Sequence, residues 1–217
     1  MINGKEVNNN FYELIPEELV EVKETNKLIV DMEYPKRGFI YAINKCMLRK
    51  SVYEKLLEAL NYLPNNYKLK VLDAFRPLNI QKELYIKYKD KIIKDFKLEN
   101  KGKEEKESII SKFVSIPQED IYNVPYHTTG GIVDITLVKD SKDVNLGIEF
   151  DEFSDKTNTS YYENTDEEEI KNNRRLLYSV MIKAGFTNLP SECWHFDYGD
   201  KAWAYYKKDK IKYIGII

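Results

Sequence analysis

The clearest strand in this chain carries an acid in its middle. Residues Ile132 to Val138 read Ile-Val-Asp-Ile-Thr-Leu-Val, a β-branched run suited to a packed sheet. A carboxylate at Asp134 is costly there unless it is paired, hydrogen-bonded or held by a cation. Any fold built on this strand must therefore give Asp134 a partner. The chain has two histidines, and His127 lies seven positions upstream, across Gly130-Gly131. Glycines at that place let the backbone bend until both side chains converge. The second histidine, His195, closes Glu192-Cys193-Trp194-His195. Residues three apart in a strict strand face opposite ways. Glu192 is therefore expected in the loop after Pro190, and His195 within a strand.

Each cluster alone has a bland reading: a loop histidine with a buried, amide-capping Asp, or an amphipathic strand start with a surface Glu. Together they supply two imidazoles and two carboxylates, with no third histidine to compete. A catalytic zinc site commonly takes three ligands from His and Asp or Glu, with water in the fourth position. It also uses a nearby carboxylate to move protons. The joint reading is one Zn²⁺ per chain. Arg76, in Phe75-Arg76-Pro77, is expected at a strand end, because Pro77 cannot continue a central strand. A forked, permanently charged guanidinium there can hold a carboxylate or stabilise an oxyanion, or form a structural ion pair. Cys193, beside Trp194, reads as a small apolar residue.

Periodicity organises the rest. Lys45 to Leu63 predicts a helix, with Val52, Leu56, Leu57, Leu60 and Leu63 at three- and four-residue spacing. Lys68 to Phe75 predicts a half-buried strand. A helix from Ile80 to about Phe96 follows, then a Lys/Glu-rich stretch from Leu98 to Lys112. Thr165 to Ala184 predicts a helix with Thr165 as N-cap, Glu168 at N3 and Gly185 ending it. Cys193 to Tyr198 and Ile211 to Ile217 are further strand candidates. Interspersed helices and strands without a βαβ rhythm predict an α+β domain with a central, mainly antiparallel sheet flanked by helices. With 217 residues, a single domain spanning 1–217 is expected.

Composition narrows the partners. There are 34 basic and 36 acidic residues, a formal charge of -2, which gives no electrostatic case for nucleic acid or an anionic membrane. No apolar run approaches the roughly 18–20 residues that span a bilayer. Met1 to Tyr12 is polar and Asn-rich, without a signal-peptide core. Two cysteines are too few for a disulfide framework. A cytoplasmic protein is the expectation.

At this point the sequence resembles the zinc D-alanyl-D-alanine dipeptidases, including the vancomycin-resistance type, among the D-Ala-D-Ala metallopeptidases. The family's Ser-x-His-x-x-Gly-x-x-x-Asp and Glu-x-Trp-His segments appear as Pro125 to Asp134 and Glu192 to His195. Its Tyr-Arg-Pro looks like Phe75-Arg76-Pro77, and its Met-Gly-x-x-Phe-Asp looks like Leu146 to Asp151. Asn173 to Leu177, Ala184-Gly185-Phe186 and Asp31-Met32-Glu33-Tyr34 with Phe39 also fit, in the family's order. The resemblance implies the D-Ala-D-Ala metallopeptidase (hedgehog-like) fold. It implies that His127, Asp134 and His195 hold the Zn²⁺, that Glu192 is general base and acid, and that Arg76 stabilises the oxyanion. It assigns Asp151 to the ammonium group of a small dipeptide substrate and adds Tyr34 to the substrate-binding set. Three positions depart from the pattern: Pro125 for Ser, Ile132 for Ala and Cys193 for Trp. The implied activity is hydrolysis of D-Ala-D-Ala or a similar D-amino-acid dipeptide. The alternatives are a D,D- or L,D-carboxypeptidase acting on peptidoglycan peptides, and a zinc-containing binding module without chemistry.

Overall fold

The computed structural model describes residues 11–217. Most of the polar N-terminal stretch, Met1 to Asn10, lies outside the described residues. The molecule is α+β. Its strands are β1 (Leu19–Glu21), β2 (Leu28–Val30), β3 (Met47–Arg49), β4 (Tyr67–Asp73), β5 (Ile132–Lys139), β6 (Lys142–Asp143), β7 (Thr187–Asn188) and β8 (His195–Asp197). Its helices are α1 (Glu33–Lys36), α2 (Lys50–Leu60), α3 (Leu78–Asp95), α4 (Lys103–Ile110), α5 (Glu168–Lys183) and α6 (Lys201–Lys207). The main sheet has six strands in the order β2-β4-β5-β8-β7, with β6 paired to β5. The β2–β4 pair is parallel and the other pairs are antiparallel. β1 and β3 form a separate antiparallel pair.

Side-chain alternation divides β5 between two faces. Val133, Ile135 and Leu137 enter the main core with Leu69, Val71 and Phe196. That core is closed by the apolar stripe Val52, Leu56, Ala59 and Leu60 of α2 and by Leu177, Val180 and Met181 of α5. The opposite face receives Asp134. Across the sheet, Asp134 pairs with His195 on one side and with Asp73 on the other. A register shift between Val71 and Asp73 brings Asp73 opposite Asp134.

Three expectations change in detail. Residues 47–49, expected as the start of a helix, form β3 instead, because they pair with β1 and Met47 accepts the Phe75 amide. Thr165 does not cap α5, whose N-cap is Glu167. Its hydroxyl instead donates to the Tyr162 carbonyl and closes the preceding 3₁₀ turn. Ile211 to Ile217 is extended but is not a strand. Apart from one bridge to Tyr12, its amides bond to the carbonyls of Gly199, Ile121 and Thr128, which belong to no strand.

The segment between β6 and α5 is held by a buried cation. Arg174, 4% exposed, donates to the carbonyls of Leu146, Lys156 and Asn158, each at 2.8 Å. Its guanidinium also lies 4.6 Å from the Tyr162 ring centre. Charged hydrogen bonds of this kind contribute about 1.5–3 kcal/mol each. Arg174→Ala is therefore expected to lower unfolding stability by about 3 kcal/mol or more. Urea melts check this, and a loss below about 1 kcal/mol would show that the segment is held by other contacts.

Candidate active site and its relatives

Both histidines arrive beside Asp134 with one ring nitrogen already committed. His127 sits in a 3₁₀ turn, Tyr126–Thr129, which Gly130 ends at φ +74°. A side chain on the next residue, Gly131, would lie 2.5 Å from the Tyr198 carbonyl oxygen. The chain can therefore pass from the turn into β5 only with glycine at these two positions. His127 Nδ1 donates to the Ala74 carbonyl at 2.7 Å, leaving Nε2 facing Asp134 Oδ2 at 3.3 Å. On β8, His195 Nε2 meets Asp197 Oδ1 at 3.2 Å, leaving Nδ1 facing Asp134 Oδ1 at 3.1 Å. A second partner that fixes ring orientation is the usual arrangement behind a metal-bound imidazole.

These three residues fit a divalent metal. One ligand atom from each lies within 4.8 Å of the others. Ligand atoms about 2.0–2.1 Å from a tetrahedral zinc are about 3.3 Å apart, close to the two contacts above. All three side chains are buried, yet Asp134 Oδ1 and His195 Nδ1 have no hydrogen-bond partner among the described residues. Burial works against ionising Asp134, but His127 and His195 hold it well below the usual carboxylate range. Burial likewise disfavours a proton on His195, which Asp197 and Asp134 nevertheless raise well above its ordinary value. The cluster draws a positive charge to its centre.

Glu192 stands at the edge of that centre. It precedes β8 in a turn, as expected, with Oε2 3.6 Å from His195 Nδ1. Burial pushes its carboxyl up to about 7, against the pull of His195. A carboxyl near neutrality can both take and return a proton at working pH. Cys193 is buried and free. Burial raises its thiol to about 11, consistent with a packing residue.

Arg76 follows β4 and is nearly saturated. Its Nε and Nη2 donate to Asp73 Oδ2 at 3.0 and 2.7 Å, Nη2 also donates to the Tyr34 hydroxyl at 3.1 Å, and Nη1 donates to Gln81 Oε1 at 2.7 Å. Of the five N–H groups of a guanidinium, one on Nη1 is left for a ligand. Tyr34, 3% exposed, donates in turn to Asp151 Oδ1 at 3.3 Å. Burial keeps the Tyr34 phenol protonated, well above its ordinary value. Tyr34 thus links Arg76 to Asp151. All seven expected site residues line one cavity of about 500 Å³.

Three buried partners were not singled out in the sequence. Asp73 orients Arg76 and also approaches His127 Nδ1 at 3.2 Å. Gln81 ties Arg76 to the Ser115 carbonyl at 2.8 Å. Asp197 backs His195. Signals were present for the two acids, though not for Gln81: an acid in the apolar run Val71 to Phe75, and His-x-Asp spacing that puts both side chains on one strand face.

A family model described as D-ala-D-ala dipeptidase matches residues 22–214. The chain belongs to the D-Ala-D-Ala dipeptidase family. A D-alanyl-D-alanine dipeptidase from Synechocystis sp. is 31% identical over 177 residues, 73% of this chain and 72% of that one. Among solved structures, a variant of the vancomycin-resistance D,D-pentapeptidase VanY in complex with Zn(II) is 14% identical. It gives a TM-score of 0.44, covering 78% of this chain and 84% of that one. The LD-carboxypeptidase LdcB is 19% identical with a TM-score of 0.43, covering 88% and 77%.

In this family member, Asp197→Asn is expected to weaken divalent-metal binding at the His127, Asp134 and His195 site about 10–100-fold, because a neutral amide polarises His195 less than a carboxylate does. Titration with Zn²⁺ as the probe metal against a competing chelator measures this. Unchanged affinity would reduce Asp197 to a bystander.

Proposed function

We propose that this protein hydrolyses D-alanyl-D-alanine, or a closely similar dipeptide containing a D-residue, with one Zn²⁺ held by His127, Asp134 and His195. The observation that carries the reading is the meeting, in one cavity, of that ligand set with Glu192, Arg76 and Asp151. Zinc, when bound, supplies Lewis-acid polarisation of a carbonyl and lowers the pKa of water.

The residues of the chain divide the remaining work. Glu192 takes a proton from the attacking water and returns it to the departing amine. The open N–H on Arg76 Nη1 is available to a substrate oxygen that gains charge as the peptide carbonyl becomes tetrahedral. Asp151, with Tyr34 beside it, receives the free ammonium group. A buried carboxylate that expects a cation discriminates against an acylated amine, because the blocked substrate leaves it unpaired. This favours a free dipeptide over a longer wall peptide. Two buried, free thiols, Cys46 and Cys193, suit a reducing cytoplasm. Among the described residues no helix is long and apolar enough to cross a membrane.

Hydrolysis of D,D-, L,D- and L,L-dipeptides, free and N-acetylated, with and without chelator, tests the reading. Free D-Ala-D-Ala is expected to be preferred, and chelator to abolish its turnover. Preference for the N-acetylated form would make the protein a carboxypeptidase, and bound zinc without any turnover would leave a binding module. Glu192→Ala is expected to cut kcat by about 10²–10⁴ while sparing zinc content; retention of most activity would remove Glu192 from the mechanism. Arg76→Ala is expected to lower kcat by about 10²–10³, more than it raises KM. A pure KM effect would move Arg76 to ground-state binding.

A further inference from the structure

Asp151 is held from behind by a second arginine. Arg37 follows α1 and lines a neighbouring cleft, with Glu33 and Lys70, but not the catalytic cavity. Its Nη1 donates to Asp151 Oδ2 at 3.1 Å and its Nη2 to the Phe150 carbonyl at 3.1 Å. The guanidinium also lies 5.2 Å from the Phe150 ring centre. One fork therefore grips both the carboxylate and the peptide group that precedes it. That peptide group needs a grip, since Asp151 adopts φ +62°, a left-handed conformation that a non-glycine residue holds only when its surroundings impose it.

Counting acceptor sites shows what the grip leaves open. A carboxylate offers about four lone-pair sites, two on each oxygen. Oδ2 receives Arg37 and the Tyr88 hydroxyl, at 3.1 and 2.9 Å, and is filled. Oδ1 receives the Tyr34 hydroxyl at 3.3 Å and keeps one site.

We propose that Arg37 is a positioning residue for substrate selection: it saturates Oδ2 from outside the cavity, so that Oδ1 alone is presented to the ammonium group of a free dipeptide. The inference rests on the proposed dipeptidase reading. It adds that selection for a free amine is set by a residue that does not itself line the catalytic cavity. Burial raises the Asp151 carboxyl, while Arg76 and Arg37 lower it, so Arg37 also helps keep the anion that an ammonium group requires. Glu33, whose Oε2 accepts from Arg37 Nε at 3.3 Å, steadies the fork from its other end.

The test compares zinc-loaded wild type, R37M and R37K with free D-Ala-D-Ala as substrate and N-acetyl-D-Ala-D-Ala as competitive inhibitor. R37M is expected to raise KM for the free dipeptide about tenfold, with kcat within about twofold and the inhibitor's Ki unchanged. R37K keeps the charge but not the fork, so it is expected to recover part of the loss, leaving KM raised about threefold. An unchanged or lowered KM in R37M overturns the proposal, as does a Ki that rises with KM, which would mark a general loosening of the cavity. If R37M does not fold, R37K decides: an unchanged KM overturns the proposal. Wild type that binds zinc but hydrolyses no free dipeptide overturns the dipeptidase reading, and the inference with it; wild-type activity with unchanged KM in R37M overturns the inference alone.

Discussion

Burying carboxylates on one face of a sheet sets the terms for everything else in this molecule. Asp73, Asp134 and Asp197 come from three adjacent strands and are at most 3% exposed. In a medium of low dielectric their mutual repulsion and lost hydration are large. Each is therefore answered by a specific donor. Arg76 answers Asp73 with two bonds, His195 answers Asp197, and Asp134 stands between two imidazoles. The arrangement closes for Asp73 with protein groups, while Asp197 is answered through Oδ1 and keeps Oδ2 without a partner among the described residues. Asp134 Oδ1 and His195 Nδ1, which face each other, also lack a hydrogen-bond partner among the described residues, and that is where a divalent cation fits.

The same logic separates what could be read from the chain from what could not. Asp134 was legible because local pattern alone exposes a conflict: an acid inside a β-branched run. Glu192 and His195 were legible because their spacing forbids a shared strand face. Asp73 sits in an equally apolar run, but its meaning depends on a register shift that places it opposite Asp134, and register between distant strands leaves no local trace. β3 was hidden for a related reason. Its three residues continue the helical periodicity of α2 without a break, and only pairing with β1 pulls them out. Thr165 had the right chemistry for a helix cap, yet its hydroxyl was taken by the turn before it. Competition between two local partners is decided by tertiary context.

The site also rests on supports of two kinds. His127, Asp134, His195 and Arg76 are tied to the sheet and its margins, where the Arg76 amide donates to the His127 carbonyl and the Thr128 hydroxyl donates to the Arg76 carbonyl. Asp151 belongs instead to the irregular segment between β6 and α5, which has no ladder of its own. Its position depends on side chains: Arg174 holds the carbonyls on either side of it in sequence, and Arg37 holds Phe150 and Asp151 themselves. A guanidinium suits this task, because its planar fork meets carbonyls at defined angles and cannot lose its charge.

Under the proposed function, this division assigns chemistry and selection to different mechanical parts. Bond cleavage needs ligand atoms placed to within about 0.5 Å, and a sheet with backbone hydrogen bonds on both sides of β5 meets that demand. Selection of a free amine needs one correctly aimed carboxylate oxygen, which a clamped loop can provide. Tyr34 is where the two parts meet. It accepts from Arg76 and donates to Asp151 through one oxygen, so a shift of the loop that moves Asp151 also withdraws the acceptor that helps aim Arg76. Under that reading, loss of the clamp reaches the substrate's ammonium end first, and the catalytic end only through that single hydroxyl.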